Sequence, residues 1–197
     1  MLCVGLNNLV LFRIQNLFSS IKKEENFTLT GIPGIIVGHY TDAKNLRGCT
    51  VIRFPAEGAT AAVDVRGAAP GTRETDLLDP INFVQKVHAI LLSGGSAYGL
   101  DAASGVMSCL EEKGIGFDVG DGLVVPIVPA AVLFDLQVGD PRIRPANNRE
   151  KISCADATGK PGAEGNVVSR TGAPVGEVLT IHRAITAGHG ARWNTLA

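Results

Sequence analysis

The stretch "HAILLSGGSAYGLDAASGVMSCLEEKG", residues 88–114, constrains the fold more than any other part of the sequence. Its first residues are almost continuously apolar, which is typical of a buried strand. After Ser96 the apolar residues recur every third or fourth position, which predicts an amphipathic helix that ends at Gly114. A glycine-rich turn therefore joins a strand to a helix. The apolar positions of the helix are Leu100, Ala103, Val106, Met107 and Leu110.

A serine between a strand and a helix also occurs in the nucleophile elbow, whose pattern is G-x-S-x-G. Tyr98 stands where that pattern needs its second glycine. A catalytic triad also needs a later histidine, and His182 and His189 lie in glycine-rich sequence that does not favour this role. We therefore predict that Ser96 is an N-cap, which satisfies free backbone N–H groups of the helix. The same helix N-terminus is suited to an anion or a developing oxyanion.

The flanking sequence is rich in valine and isoleucine and punctuated by turn residues. The runs "GIIVGHY" (34–40), "CTVIRF" (49–54) and "TAAVDVRG" (60–67) predict three strands joined as hairpins or a meander. Residues 67–80 predict a long loop, of a length that is often functional. Residues 130–136, "AAVLFDL", predict a further strand.

Charge and the N-terminal residues exclude several classes of partner. The formal net charge is -1 and no block of lysine and arginine is present, which argues against nucleic acid or an anionic membrane as the main partner. A small, roughly neutral ligand is easier to accommodate. Residues 1–30 begin with an apolar stretch that polar residues interrupt, with Arg13 near its centre, so they predict neither a signal peptide nor a spanning helix.

The cysteines and histidines give no metal signature. The four cysteines stand far apart and form no C-x-x-C pair, so we expect reduced, mostly buried thiols in a cytoplasmic protein. The four histidines lack the spacing of metal ligands and are predicted to be structural or solvated. These residues are Cys3, Cys49, Cys109 and Cys154, and His39, His88, His182 and His189.

Charged residues near predicted strand ends are candidate pocket residues, although exposed charge at a strand end is the commoner explanation. They are Asp64, Arg66, Asp135 and Asp140. Asn166 is flanked by small residues that allow a ligand to approach the backbone closely. An asparagine in an ordinary turn explains that position equally well.

Three segments carry a resemblance to a known family. At "VHAILLSGGSAYGLDAASGVMSCLEEKGIGF", "VPIVPAAVLFDLQVGD" and "AEGNVVSRTGAPVGEVL", in this order and at these separations, the chain resembles the DmpA-type L-aminopeptidase/D-esterase family. That family also includes β-aminopeptidases and nylon-oligomer hydrolases. The resemblance runs from about Gly31 to about Gly190.

The resemblance implies a fold and a domain organisation. It implies an α/β protein, an α/β/β/α layered sandwich of the N-terminal-nucleophile type, made as a precursor that cleaves itself into an α-chain and a β-chain. Residues 31–197 are then the α-chain-like part of a single hydrolase domain, incomplete at the C-terminus. Residues 1–30 are a non-homologous extension.

The resemblance also implies roles for site residues. Tyr98 matches the family tyrosine whose hydroxyl faces the catalytic centre, and Asn166 matches the asparagine of the "EGN" motif, which holds the oxyanion. Gly94, Gly95 and Ser96 supply pocket wall rather than a nucleophile. The nucleophile is a serine or threonine at the start of the β-chain, activated by its own α-amino group, and needs no metal or organic cofactor.

Two departures from the family pattern affect this interpretation. The sequence after "EGNV" reads "VSRTG", with Ser169 and Arg170 where the family usually has a run of small residues. The chain also ends at Ala197, before any β-chain, so we expect a truncated member that lacks its nucleophile. Asn194-Thr195 resembles a self-cleavage bond, but too few residues follow it to form a strand that holds a nucleophile.

The function that the resemblance implies is hydrolysis of an N-terminal residue from a small peptide, amide or ester through an acyl-enzyme. The implied assembly is a homo-oligomer, or a complex with a missing β-chain. Two alternatives remain open: a catalytically inactive remnant or binding module, and an independent serine hydrolase that uses Ser96.

Overall fold

A computed structural model describes residues 28–144 and 153–161, together with the strand residues 174–175 and 185–186. No helix within these ranges is both long and apolar enough to cross a membrane. The strands are β1 (Ile36–Asp42), β2 (Arg47–Arg53), β3 (Thr72–Arg73), β4 (Ala89–Ser93), β5 (Phe117–Gly120), β6 (Leu123–Val125), β7 (Ala130–Val132), β8 (Pro174–Val175) and β9 (Ile185–Thr186). The helices are α1 (Ala102–Glu111) and the 3₁₀ helices Leu29–Gly31, Asp76–Leu78 and Ser96–Asp101, and residues 153–155 are also helical.

Five strands form one mixed sheet in the order β1-β2-β4-β7-β3. β1 and β2 form an antiparallel hairpin, and β2 pairs antiparallel with β4 so that Val51 lies opposite Leu91. β4 pairs with β7 in parallel. Parallel strands need a crossover connection, and α1 and the β5–β6 hairpin both lie in that connection. The mixed sheet with a helix in its crossover places the described chain in the α/β class.

The core lies between α1 and the sheet, as the apolar periodicity predicts. Ala89 and Leu91 of β4 are fully buried, whereas the alternate residues Ile90 and Leu92 are only partly buried. The helix ends at Glu111, three residues before the predicted end, and Gly114, with a φ of +66°, lies in the turn that follows. The predicted helical face is confirmed: Ala103, Val106 and Leu110 are buried, and Leu100 and Met107 pack against them.

Two of the predicted strands differ in the structure. Residues 60–67 form no strand, because Val63 and Val65 are about half exposed and no neighbouring strand pairs with them. The predicted strand at 130–136 ends at Val132. Beyond it, the chain turns inward and buries Asp135 completely.

The prediction of reduced thiols is wrong for one pair of cysteines. Cys109 of α1 and Cys154 form a disulfide, with their Cα atoms 6.4 Å apart. They are 45 residues apart in sequence and meet because both belong to the same buried core cluster. Cys49 is a buried free thiol, and Cys3 lies outside the described residues.

Candidate active site

The glycine-rich turn after β4 is held by hydrogen bonds to two separate parts of the chain. One partner lies in β2, and the other two lie in the segment that follows β7. The backbone N–H groups of Gly94, Gly95 and Ser96 donate to the carbonyl of Gly48 (2.9 Å), the carboxylate of Asp135 (2.7 Å) and the carbonyl of Leu133 (2.9 Å), respectively. All three N–H groups are therefore used to fix the turn.

Two glycines of the motif are required by the backbone. Gly95 has a φ of +89°, a left-handed conformation that glycine adopts without steric cost. Gly99 lies so close to the carbonyl oxygen of Gly94 that a Cβ atom would collide with it. Ser96 is also left-handed, with a φ of +56°, which is uncommon for a residue with a side chain. The "GGSAYG" sequence is thus explained by a tight, internally packed turn.

The predicted N-cap role of Ser96 is wrong. Ser96 is the first residue of the 3₁₀ helix, Gly95 occupies the cap position, and no side chain caps that helix. Asp135 accepts the N–H of Gly95, the cap residue itself, rather than the N–H of the second or third helical residue that an N-cap side chain would bind. The start of this helix is therefore held by a contact between residues 40 positions apart and not by a local side-chain cap.

Neither described histidine forms a hydrogen bond with Ser96. Nδ1 of His39 hydrogen-bonds the hydroxyl of Thr50 at 3.0 Å, and Nδ1 of His88 accepts the N–H of Ile127 at 3.1 Å. Burial lowers the pKa of both histidines, so both favour the neutral form. Their contacts agree with the predicted structural roles and leave Ser96 without a described base.

A buried ion pair lies beneath the turn. Arg47 and Asp135 expose only 1% and 0% of their side chains, and Nη1 of Arg47 lies 3.4 Å from Oδ2 of Asp135. The same Nη1 donates to the carbonyl of Asp135 at 2.6 Å. Burial raises the pKa of Asp135, and the N–H of Gly95 and the charge of Arg47 oppose that rise. The expectation of an exposed strand-end charge is therefore wrong for Asp135.

The other charged candidates are on the surface. Arg66 donates to Asp64, and both side chains are mostly exposed. Arg142 donates to Asp140 and lowers the pKa of that carboxyl to about 2. Such exposed pairs contribute little to stability. For these residues, exposed charge is confirmed.

Tyr98 lies in the 3₁₀ helix that follows the turn, with 53% of its surface exposed. The guanidinium of Arg144 stacks over its ring, with Cζ 3.4 Å from the ring centroid. The Nε of Arg144 donates to the carbonyl of Pro141 at 3.1 Å. The exposed tyrosine and the cation beside it form an accessible surface directly above the fixed turn.

The remaining candidates lie outside the described residues, so the structure does not relate them to Tyr98. They are Asn166, His182, His189, Asn194 and Thr195. Among the residues that are described, no group of three or more histidine, cysteine or acidic side chains is arranged to hold a metal ion.

An open groove of about 590 Å³ lies elsewhere, between residues 62–65 and the predicted long loop. Leu78 and Pro80 provide part of its apolar lining, and Asp76 and Asp79 supply charge. The groove includes none of the site residues predicted from the sequence. The predicted loop is also not wholly irregular, because it contains β3, whose Arg73 contacts Leu100.

Sequence reasoning missed the residues that support the turn. Arg47 is the first residue of β2, a strand that also contains Arg53, so the local pattern carries no signal that this arginine is buried. Arg144 gave no signal in the sequence, because its stacking on Tyr98 depends on how the chain folds back after β7.

The fold and the site define a mixed α/β protein with a rigid glycine turn that presents a tyrosine. A family model described as Peptidase family S58 matches residues 28–179. The chain belongs to this family, the DmpA family that its motifs indicate.

Named relatives agree with this assignment. The chain is 50% identical over 175 residues to an uncharacterized aminopeptidase of Mycobacterium bovis, covering 82% of this chain and 49% of that protein. It is 51% identical over 138 residues to an uncharacterized aminopeptidase of Mycobacterium leprae, covering 66% of this chain and 38% of that protein. It is 32% identical over 167 residues to a 6-aminohexanoate-oligomer endohydrolase of a Kocuria species, covering 83% and 43% respectively. The chain thus spans about half the length of the curated relatives it matches, or less.

Proposed function

We propose that this chain forms the oxyanion-binding wall of an aminopeptidase-type hydrolase that acts on small peptides, amides or esters. Membership of Peptidase family S58 supports a hydrolase, and the names of the relatives support aminopeptidase or amide-oligomer chemistry. The observation that carries the proposal is the placement of Tyr98. Its half-exposed side chain follows directly after a turn that three hydrogen bonds fix to β2 and to the segment after β7.

The proposed reaction passes through an acyl-enzyme. A serine or threonine hydroxyl attacks the substrate carbonyl, and the free α-amino group of that residue takes the hydroxyl proton. The Tyr98 hydroxyl and the Asn166 amide donate hydrogen bonds to the oxyanion that forms. The intermediate then expels the amine or alcohol, which receives the proton, and water releases the acyl group. We place the nucleophile outside residues 1–197, in a β-chain-type segment.

The proposal includes the layered α/β/β/α arrangement and a single hydrolase domain over residues 31–197. The mixed sheet with α1 on one face supports one sheet layer and one helical layer. The rigid turn explains why a tyrosine there is suited to catalysis. A donor that is already oriented avoids reorganisation when charge develops on the substrate.

One test combines this chain with the half of the Mycobacterium bovis relative that it does not match. Co-expressed halves that associate should hydrolyse an aminoacyl p-nitroanilide, and Tyr98→Phe should lower kcat by about 100-fold or more. Tyr40→Phe is the matched control, because it removes the hydroxyl of a tyrosine on β1 that packs against the core. Full turnover by Tyr98→Phe would contradict the oxyanion role.

A second test uses the 197-residue chain alone, which should not turn over this substrate. Robust hydrolysis that is lost on changing Ser96 or Thr195 would overturn the placement of the nucleophile.

A non-enzymatic binding module is the second candidate. Ile81 and Phe83 expose more than four-fifths of their surface, and large exposed apolar residues are typical of surfaces that a partner covers. A partner chain or a homo-oligomer would bury them. Sedimentation of the purified chain separates a stable monomer from a self-associating species. Turnover by the co-expressed halves would exclude a purely binding role.

A further inference from the structure

We propose that Arg144 is a specificity-determining residue that binds the free carboxylate of a small peptide substrate, an inference that rests on the function proposed above. The stacking of its guanidinium over Tyr98 places a fixed positive charge beside the proposed oxyanion donor. When the scissile carbonyl of a substrate lies at Tyr98, another part of the same substrate therefore lies close to the guanidinium of Arg144.

The guanidinium of Arg144 is held from two directions. The ring of Tyr98 supports its face, with Cζ 3.4 Å from the centroid, and the carbonyl of Pro141 accepts its Nε–H at 3.1 Å. The side chain is partly buried. An arginine that is already oriented loses little conformational entropy when it binds a ligand, so each hydrogen bond that it then makes contributes more to affinity.

No described residue accepts a hydrogen bond from either Nη group of Arg144. Among the residues that the structure describes, the ion pairs join Arg47 to Asp135, Arg66 to Asp64 and Arg142 to Asp140, and Arg144 has no acidic partner. Its neighbour Arg142 is neutralised by Asp140 at 2.9 Å. A guanidinium with two free N–H donors on one edge matches the two oxygens of a carboxylate.

A second arginine adds to the positive charge along the same segment. Arg73 donates from Nη1 to the carbonyl of Leu100 and the hydroxyl of Ser104, both uncharged acceptors. No described acidic side chain lies within ion-pair distance of Arg73. Arg73 and Arg144 both contact residues 96–107 and outnumber Asp101, the single acidic residue within that stretch, which favours an anionic over a cationic leaving portion.

This assignment narrows the substrate class. Small peptides and amino-acid oligomers that end in a free carboxylate can form an ion pair with Arg144. Their amides and esters lack the negative charge and cannot form this ion pair. Hydrogen bonds between charged groups are strong enough for the carboxylate form to bind roughly tenfold more tightly.

Calorimetric titration of the 197-residue chain tests the assignment without requiring turnover. The probes are L-alanyl-L-alanine and L-alanyl-L-alaninamide, which differ only in the terminal group. The wild type should prefer the free carboxylate roughly tenfold, and Arg144→Gln should abolish the preference. Arg144→Lys, which keeps the charge without the planar fork, should retain only part of it. Arg142→Gln is the matched control, two residues away, and should keep the full preference.

Tyr98→Phe separates this inference from the proposed function. It keeps the stacking face, so the carboxylate preference should persist, although turnover by the co-expressed halves should fall. Equal binding of the two probes by the wild type, or a preference that persists in Arg144→Gln, would overturn the carboxylate site alone. Absence of binding by either probe would overturn the carboxylate site together with the proposed substrate class.

Discussion

The carboxylate of Asp135 accepts the backbone N–H of Gly95 at 2.7 Å, a contact between residues 40 positions apart. The same side chain neutralises the buried Arg47. The buried carboxylate of Asp135 thus fixes the turn that precedes Tyr98. It also compensates the charge of Arg47, the only buried cation among the described residues.

Replacement of this carboxylate should destabilise the protein strongly. Asp135→Ala leaves the guanidinium of Arg47 buried without a counter-charge and the N–H of Gly95 without an acceptor. We expect the free energy of unfolding to fall by about 3 kcal/mol or more, measured by urea denaturation. Asp140→Ala, which breaks an exposed pair, is the control and should change stability by less than about 1 kcal/mol. Similar losses in both variants would contradict the importance of the buried pair.

A methyl group at position 99 should disturb the turn. In Gly99→Ala the added Cβ meets the carbonyl oxygen of Gly94, so backbone must move. We expect a loss of about 1–3 kcal/mol, again by urea denaturation. Gly159→Ala is the matched control, because its Cβ would lie 3.8 Å from Ile36, an ordinary contact. Equal stability of the two variants would show that residues 94–99 are less tightly packed than described.

The disulfide between Cys109 and Cys154 should contribute measurable stability. Closing a loop of 45 residues restricts the unfolded chain and is worth up to about 4 kcal/mol. Unfolding in the presence of a phosphine reductant should therefore occur at lower urea concentration. The double variant Cys109→Ala/Cys154→Ala should be insensitive to the reductant.

Thiol alkylation of the urea-unfolded protein, without reductant, checks the pairing directly. Cys49 should be modified, and Cys109 and Cys154 should not. Alkylation of Cys109 and Cys154 under these conditions would contradict the disulfide.

Stability should decrease as the solution is acidified below the ordinary histidine pKa of 6.5. Burial lowers the pKa of His88 in the folded state, and its Nδ1 accepts the N–H of Ile127. The unfolded chain therefore binds more protons than the folded chain between the two pKa values. The contribution is present above 6.5 and is lost as the pH falls towards the folded-state pKa.

Comparison of urea denaturation at about pH 7.5 and about pH 5.5 measures this effect. His88→Asn should show a smaller difference in unfolding free energy between the two conditions than the wild type. An unchanged difference would assign the pH dependence to other groups, of which His39 is one with a lowered pKa.

Local sequence patterns predicted the strand, turn and helix around the site correctly. β4 alternates buried and partly buried residues, and α1 buries one face, because hydrophobic periodicity records which side of each element meets the core. The same reasoning failed at residues 60–67. Their valines alternate as in a strand, but a strand also needs a neighbour to pair with, and none is described there.

Predictions about single side chains depended on contacts that are distant in sequence. The N-cap role of Ser96 was wrong because Gly95, held by the distant Asp135, occupies the cap position. The thiol state of Cys109 was wrong because Cys154 packs beside it. Asn166 stays a predicted site residue, since it lies outside the described residues.

The sequence by itself determined the family, the amphipathic helix and the glycine-rich turn before it. The helix and the turn follow from hydrophobic periodicity and local backbone preferences, which depend on residues close together in the sequence. The family follows from the three motif segments. Only the tertiary structure decided that Arg47 and Asp135 are buried together and that Arg144 stacks on Tyr98. The physical reason is that the burial and pairing of a charge depend on which distant segments meet, and a charged residue looks the same in the sequence whether it is solvated or enclosed.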